Sequence, residues 1–352
     1  MPTLRHQVVF REFIFQDQRP FASCHASTLV VLANNEILVA WFGGSKEGAD
    51  DVAIWMSRCV QGKWQSPTKV ADREGIPHWN PVLFQGQDGT IFLFYKVGHK
   101  IKEWQTMVMI SEDEGHTWTR PEALVHGDIG GRGPVKNKPI ILANGTWIAP
   151  ASIENDEWNA FVDISCDQGR TWVKSEMVPL QRLPSQETSS SSTKVASPGD
   201  FFRGKGVIQP TLWESKPGIV HMFLRSTEGH IYRSDSQDSG ETWCIAYPVG
   251  LPNNNSGIDL VKLDSGILAL VYNPIGTNWG PRTPLVVALS TDNGQSWREE
   301  LLLEDEEGEY SYPAIVARGE TIYITYTWKR KRIAFWQVRL TGSNLDAVLP
   351  GI

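Results

Sequence analysis

Six polar residues each stand directly ahead of a short apolar run. They are His25 (SCHASTLVVL), Asn80 (WNPVLF), Lys138 (KPIIL), Gln209 (QPTLW), Ser256 (SGIDLVKL) and Tyr312 (YPAIV). If those runs are strands that start at one place, the six residues form a ring of hydrogen-bonding groups. Such a ring suits a sugar; the plainer alternative is a set of groups that bond one another and channel water. The imidazole of His25 is a candidate general acid/base. Asp51, in the acidic loop GSKEGADD, is the candidate proton donor to a leaving oxygen. Its neighbours Glu47 and Asp50 carry like charges, which favour keeping one proton on the loop.

Cations are placed to meet an acidic ligand. Lys136 and Lys138 alternate in GPVKNKPI, so on a strand both share one face. Lys96 and Arg225 close two further apolar runs, IFLFYK and IVHMFLR. The stretch WKRKR, Trp328 to Arg332, is expected to be a solvated hairpin turn. Trp79, Trp158 and Trp279 fall between strands, where rings stack on sugar faces or act as lids.

The elements that position these residues are legible from an internal repeat. Ser-x-Asp-x-Gly-x-Thr/Ser-Trp occurs four times, as SEDEGHTW, SCDQGRTW, SQDSGETW and STDNGQSW, ending at Trp118, Trp172, Trp243 and Trp297. The spacings are 54, 71 and 54 residues, and a worn copy, SRCVQGKW, ends 54 residues earlier at Trp64. The long gap holds PSQETSSSSTKVASPGD, residues 184–200, a serine-rich loop inserted in a regular unit. Each unit offers three apolar strands before its box, and a fourth after it. There are six units, and the last lacks its fourth strand. The initial RHQVVFREFIF is a spare strand that completes it and closes the ring. The expectation is an all-β, six-bladed β-propeller forming a single domain over residues 1–352. The boxes are architectural: glycine takes the left-handed turn position, aspartate and serine bond the turn's own backbone, and tryptophan packs between blades.

Composition narrows the function further. The net charge of −7 argues against nucleic acid held by bulk charge. No stretch approaches the length of an apolar membrane span. No phosphate-binding glycine loop, zinc spacing or calcium loop appears, so no metal or cofactor is expected. Cys24, Cys59, Cys166 and Cys244 are expected to be free thiols. As written, the start lacks a signal peptide and suggests a cytoplasmic protein, and a secreted form with its signal removed is the alternative.

The boxes on six blades resemble the Asp-box repeats of the sialidase (neuraminidase) superfamily. The stretches FASCHASTLVVLANNEILVAWFGGSKEGADDVAIWMSR, GPVKNKPIILANGTWIAP and EYSYPAIV resemble its sialidase-like BNR-repeat branch. That resemblance implies three arginines on a substrate carboxylate, a tyrosine nucleophile activated by a glutamate, and an aspartate acid/base. Carried onto this sequence, it implies Asp51, or else Asp50, as the acid/base. Tyr310 of the Tyr-Ser pair is the implied nucleophile, and Arg19 of DQRPFAS the first arginine. The glutamate and second arginine should bracket NNNSGIDLVKLDSGILALVYNP, where Asn255, Ser256 and Asn273 stand instead. Three readings stay open: a sialidase-like exo-glycosidase on a terminal acidic sugar, a lyase at a uronate with His25 or a tyrosine as base, and a glycan-binding propeller without chemistry.

Overall fold

The computed structural model describes residues 5–182 and 202–341. The serine-rich stretch 184–200 lies outside the described residues. Six antiparallel sheets form the six blades of a β-propeller. Blade one is built on Ser23–Val31, Ile37–Gly44 and Ala53–Val60, with the short strands Lys63–Trp64 and Thr68–Ala71 along its outer side. Blade two runs His78–Gln85, Ile91–Val97, Gln105–Ser111 and Glu122–Ala123; blade three Ile140–Ile141, Trp147–Glu154, Trp158–Ser165 and Val173–Lys174. Blade four runs Val207–Lys216, Ile219–Ser226, His230–Ser236 and Tyr247–Pro252; blade five Asp259–Lys262, Leu268–Tyr272, Leu285–Ser290 and Arg298–Glu304. Blade six takes Tyr310–Arg318, Thr321–Trp328 and Arg332–Thr341, and its fourth strand is the first of the chain, Arg5–Phe13. Arg5 pairs with Thr341 and Phe13 with Ala334, so the spare strand closes the ring.

The core is divided among the blade interfaces. Six apolar clusters each join two neighbouring blades, such as Phe84 and Phe92 of blade two against Trp147 of blade three. Each box tryptophan joins the cluster shared with the preceding blade: Trp118, Trp172, Trp243 and Trp297. The boxes repeat one hydrogen-bond pattern. In the second, Ser165 Oγ donates to Asp167 Oδ1, and the amides of Gly169 and Thr171 donate to Ser165 Oγ and Asp167 Oδ1. The Thr171 hydroxyl donates to Asp167 Oδ2 at 2.6 Å. Gln168 and Gly169 take φ of 61° and 85°, the left-handed pair that turns the hairpin. The worn copy keeps this backbone at Gln61 and Gly62, with φ of 48° and 75°.

A second device repeats at the other end of the blades. Register breaks fall between His25 and Thr28, Trp79 and Val82, Ile208 and Thr211, and Ser311 and Ala314. Inside each break sits a non-glycine residue in the left-handed region: Ala26, Asn80, Gln209 and Tyr312. Lys136 and Asn255 take the same conformation ahead of the shorter inner strands of blades three and five. Left-handed backbone at a residue with a Cβ costs on the order of 1 kcal/mol. A bulge re-aims a side chain; four bulges and the two left-handed residues ahead of blades three and five surround one axis.

The four cysteines are unpaired, Cys24 and Cys59 buried, Cys166 and Cys244 exposed. No helix among the described residues is long and apolar enough to cross a membrane.

Candidate functional site

Arg225 is the centre of the site. It ends the second strand of blade four, is 3% exposed, and spends its guanidinium on neutral acceptors. Nε donates to Asn255 Oδ1 at 3.0 Å; Nη1 donates to Gln209 Oε1 and to the Tyr312 hydroxyl oxygen, each at 3.0 Å. Three bulge residues from blades four, five and six are thus gathered on one cation. No carboxylate is among these hydrogen-bond partners, an arrangement chemically able to accept an anion.

Two further guanidiniums stand around Tyr312. Arg282 lies 5.7 Å from the Tyr312 ring centre and donates to Glu309 Oε1 at 2.7 Å. Arg330 donates to the same oxygen at 2.7 Å and to Glu47 Oε2 at 2.6 Å. Burial opposes the charge on Glu309, yet Arg330 and Arg282 hold it below the usual carboxylate range. The His25 ring lies 4.2 Å from that of Tyr312, and Nδ1 is 2.8 Å from Thr327 Oγ1. Burial, then the charges of Arg330, Arg282, Lys136 and Arg225, push the imidazole well below its ordinary pKa, so His25 is neutral near pH 7. Glu154, at the end of the second strand of blade three, accepts from Gln209 Nε2 at 3.4 Å. Burial raises its pKa, against the pull of Arg225.

The structure therefore brings together His25, Gln209, Tyr312 and Arg225, with Asn80 buried at the equivalent bulge of blade two. Other sequence expectations are displaced. Lys138 does not face the mouth. It pairs with Asp259 at 3.0 Å and donates to the Leu260 carbonyl at 2.9 Å, and it lines a cavity of about 430 Å³ among the far ends of the inner strands. Lys136 takes the ring position of blade three, because its left-handed φ of 69° and the absence of strand before Ile140 break the expected alternation. Its amine is turned away from the mouth, across the axis. Ser256 is one residue out of register: Asn255 occupies the bulge and touches Arg225. Lys96 is buried, donating to Thr106 Oγ1 at 2.6 Å and to the carbonyls of Arg132 and Gly133, and burial pushes its amine down to about 8. It anchors the loop GDIGGRGP rather than presenting a charge.

Tyr310 is fully buried in the cluster between blades five and six, its hydroxyl without a partner among the described residues; Tyr312 is the tyrosine in the pocket. Asp51 accepts from the Ser45 amide at 2.9 Å and hydroxyl at 2.8 Å, which braces its loop. From that loop it is Glu47 that reaches the arginines, while Asp50 lies 3.1 Å from His99 Nε2. Arg19 bonds within its own segment, to Asp17 and the Ala22 carbonyl. WKRKR is more than a solvated turn: Arg330 enters the site, Lys329 lies over Trp328 at 4.9 Å, and Arg332 pairs with Asp17 at 2.6 Å. Asn273 donates to the carbonyls of Pro284 and Tyr310. On blade four, Gln209 and Arg225 flank the inner hairpin and meet at 3.0 Å. Trp158 and Trp279 meet edge to face at 6.4 Å, and Trp279 is 64% exposed. Trp79 packs on Phe42 and Trp104, with its Nε1 donating to the Gly98 carbonyl. Sequence reasoning missed Arg282, Glu309 and Glu154, and discounted Arg330; they sit in loops or at strand ends and follow no period.

The comparisons with known proteins agree with this architecture. The family model of the BNR repeat-like domain matches residues 35–324. The chain belongs to the BNR repeat-like domain family. Relatives include a sialidase of Clostridium perfringens, 24% identical over 242 residues, covering 59% of this chain and 61% of that protein. A sialidase of Paraclostridium sordellii is 22% identical over 248 residues, covering 61% and 60%. The chain thus spans about three fifths of the length of the curated relatives it matches. Among solved structures, Hadza microbial sialidase Hz136 superposes with a TM-score of 0.73 at 16% identity over 95% of this chain and 69% of that one. A protein of unknown function from Dyadobacter fermentans gives 0.71 at 16% identity over 96% and 99%. Trypanosoma rangeli sialidase in complex with the inhibitor DANA gives 0.69 at 12% identity over 91% and 55%. At such identities the structural likeness is one of fold, and BNR-repeat propellers share that fold whatever they bind.

Proposed function

We propose that this BNR-repeat propeller is a sialidase-like glycoside hydrolase acting on a terminal acidic sugar. The observation that carries the reading is the gathering of Arg225 and Arg282 around Tyr312, with Arg330 beside Arg282 on the Glu309 carboxylate. Guanidinium forks match a carboxylate in geometry and charge, and a buried cluster gives more than an exposed one because water screens it less. The sugar carboxylate lies among the three arginines and takes Arg330 from Glu47. Glu47, freed at the mouth, takes up a proton from solvent and passes it to the leaving oxygen as the glycosidic bond breaks. Tyr312, with its hydroxyl on Arg225, faces the positive charge that grows at the anomeric carbon. Water adds to that carbon, yielding free sugar and alcohol. Asp51 acts through Ser45 as the brace of the Glu47 loop, and Asn80, Gln209 and Asn255 hold sugar hydroxyls. Trp279 and Trp158 offer a face to the leaving group.

A second reading rests on Gln209. Gln209, which shares an Arg225 nitrogen with Tyr312, is a neutral amide and offers the phenol no base, whereas His25 is a buried neutral imidazole 4.2 Å from the Tyr312 ring. A neutral imidazole takes up a proton, and three arginines stabilise the charge left beside a uronate carboxylate; that is lyase chemistry. Mass spectrometry of products from sialylated and uronate-containing oligosaccharides tests both. Fragments with an added water support the hydrolase, and unsaturated uronate fragments support the lyase. Retention of an acidic glycan without any product leaves recognition alone and overturns both chemistries.

A further inference from the structure

Lys136 crosses the axis of the propeller. It leaves blade three with its side chain buried, and its Nζ donates to Asn137 Oδ1 at 2.8 Å, to the Ile258 carbonyl ahead of blade five at 2.7 Å, and to the Pro313 carbonyl of blade six. Asn137 extends the tie to blade four through the carbonyls of Gln209 and Pro210, at 3.0 and 2.9 Å. A buried ammonium on three neutral acceptors is costly to desolvate, and nothing in the propeller repeat demands it: the equivalent bulges carry Ala26, Asn80, Gln209, Asn255 and Tyr312.

The passage of this side chain is built for it. A Cβ at Gly257 would stand 2.9 Å from Cε of Lys136 and 3.4 Å from Cδ2 of Tyr312. The glycine leaves a slot in which the lysine stem runs beside the tyrosine ring. Tyr312 itself holds φ at 52°, a conformation that a bulky residue keeps only under constraint. Its hydroxyl is fixed by Arg225 and its ring by His25. The backbone immediately after it is fixed by the bond from Lys136 to Pro313.

We propose that Lys136 is a positioning residue: by holding the Pro313 carbonyl from across the axis, its ammonium keeps Tyr312 in the left-handed bulge that aims the hydroxyl at Arg225. The consequence for catalysis rests on the reading of Tyr312 as the residue facing the reacting carbon. Three N–H bonds meet three acceptors only while the amine is protonated. Burial pushes Lys136 down to about 7; Asp259 of blade five opposes the shift, and Lys138 of its own blade and Arg225 of blade four add to it. His25 and Tyr312 face the same floor from blades one and six. Above that pH the neutral amine has two protons for three acceptors, and one carbonyl loses its donor.

The test does not need the substrate. Tyrosine is labelled with carbon-13 in the whole chain, and the Tyr312 signal is assigned with Tyr312→Phe. The expected result is a Tyr312 signal that moves with a midpoint at about 7, and that in Lys136→Met is displaced at low pH and no longer follows this titration. Gly257→Ala, which crowds the slot and leaves the amine, is expected to displace the same signal. Should Lys136→Met fail to fold, Lys136→Gln, with two N–H donors on a shorter stem, provides the comparison. A Tyr312 signal with the same position and pH course in wild type and variant overturns the proposal. With an acidic substrate in hand, kcat of Lys136→Met falls about tenfold with KM nearly unchanged, the pattern of a lost transition-state contact. Absence of turnover in every protein, with the spectra as expected, refutes the hydrolase reading and leaves the positioning role standing.

Discussion

The Tyr312 hydroxyl and Nη1 of Arg225 lie 3.0 Å apart, although the two residues come from different blades and are separated by 87 positions. The same nitrogen holds Gln209. A single guanidinium thus sets the positions of Tyr312 and Gln209, and in the proposed function it also receives the sugar carboxylate. Arg225→Lys keeps the charge and loses the planar fork. We expect affinity for an acidic sugar, read by titration calorimetry, to fall at least tenfold. Unchanged affinity would place the anion elsewhere.

Gln209 offers a gain-of-function test. If hydrolysis through Tyr312 is the reaction, Gln209→Glu supplies a carboxylate on the same Arg225 nitrogen that holds the phenol. General base assistance is worth roughly 10²–10⁴-fold where geometry is good. We expect kcat to rise, about tenfold or more, while Tyr312→Phe loses most activity. A fall in kcat for Gln209→Glu, together with an unsaturated product, points to His25 and the lyase.

The acidic loop separates reaction from support. Glu47→Gln is expected to cut kcat about 100-fold and to leave binding intact. Asp51→Asn loosens the loop through Ser45 and is expected to cost less in kcat and more in KM. The reverse order of the two effects returns the proton donor to Asp51.

His25 makes stability depend on pH with a definite sign. Its folded pKa lies well below 6.5 because of burial and the surrounding cations, while the unfolded imidazole keeps its ordinary value. Below about pH 6.5 the unfolded chain therefore binds more protons, and stability falls as pH falls through that window. Urea midpoints between about pH 5 and pH 7 should drop for wild type and drop less steeply for His25→Asn. Equal slopes in the two proteins exclude His25 as the source.

The boxes carry stability and no chemistry. Asp238 accepts from Ser236 Oγ, the Thr242 amide and the Thr242 hydroxyl. Those bonds hold its carboxyl below the usual range, although partial burial works the other way. Asp238→Ala should cost about 1–2 kcal/mol and leave kcat alone. The contribution of the carboxylate is present above its unfolded pKa and is lost as pH falls through the lower folded value, so acid narrows the gap between variant and wild type.

The architecture was legible because it is periodic. A box recurring every 54 residues, and an apolar run at each inner position, fix the blade count and the closing strand before any coordinate is known. The site was legible only where it follows the same period. His25, Asn80, Gln209 and Tyr312 are found at strand heads as expected. The left-handed residue, however, decides which side chain turns to the axis: Asn255 rather than Ser256 meets Arg225, and Tyr312 rather than Tyr310, which packs in the core, enters the pocket. The arginines and carboxylates that complete the pocket, Arg282, Arg330, Glu309, Glu47 and Glu154, lie on connections or at strand ends. Nothing local marks them, because their partners belong to other blades.

The pairing of Arg5–Phe13 with Arg332–Thr341 also orders events in time. On a ribosome Arg5–Phe13 is made before any strand of the first five blades, and its partner Arg332–Thr341 after all of them. Blades one to five can form as they emerge, but the sixth has no complete sheet until Arg332–Thr341 has been made. Until then an unpaired edge is exposed at each side of the gap, and Tyr312, Arg330 and Thr327 have not met His25. The pocket therefore comes into being only when the sixth blade closes on the first, and a chain truncated within that blade is both open-edged and siteless.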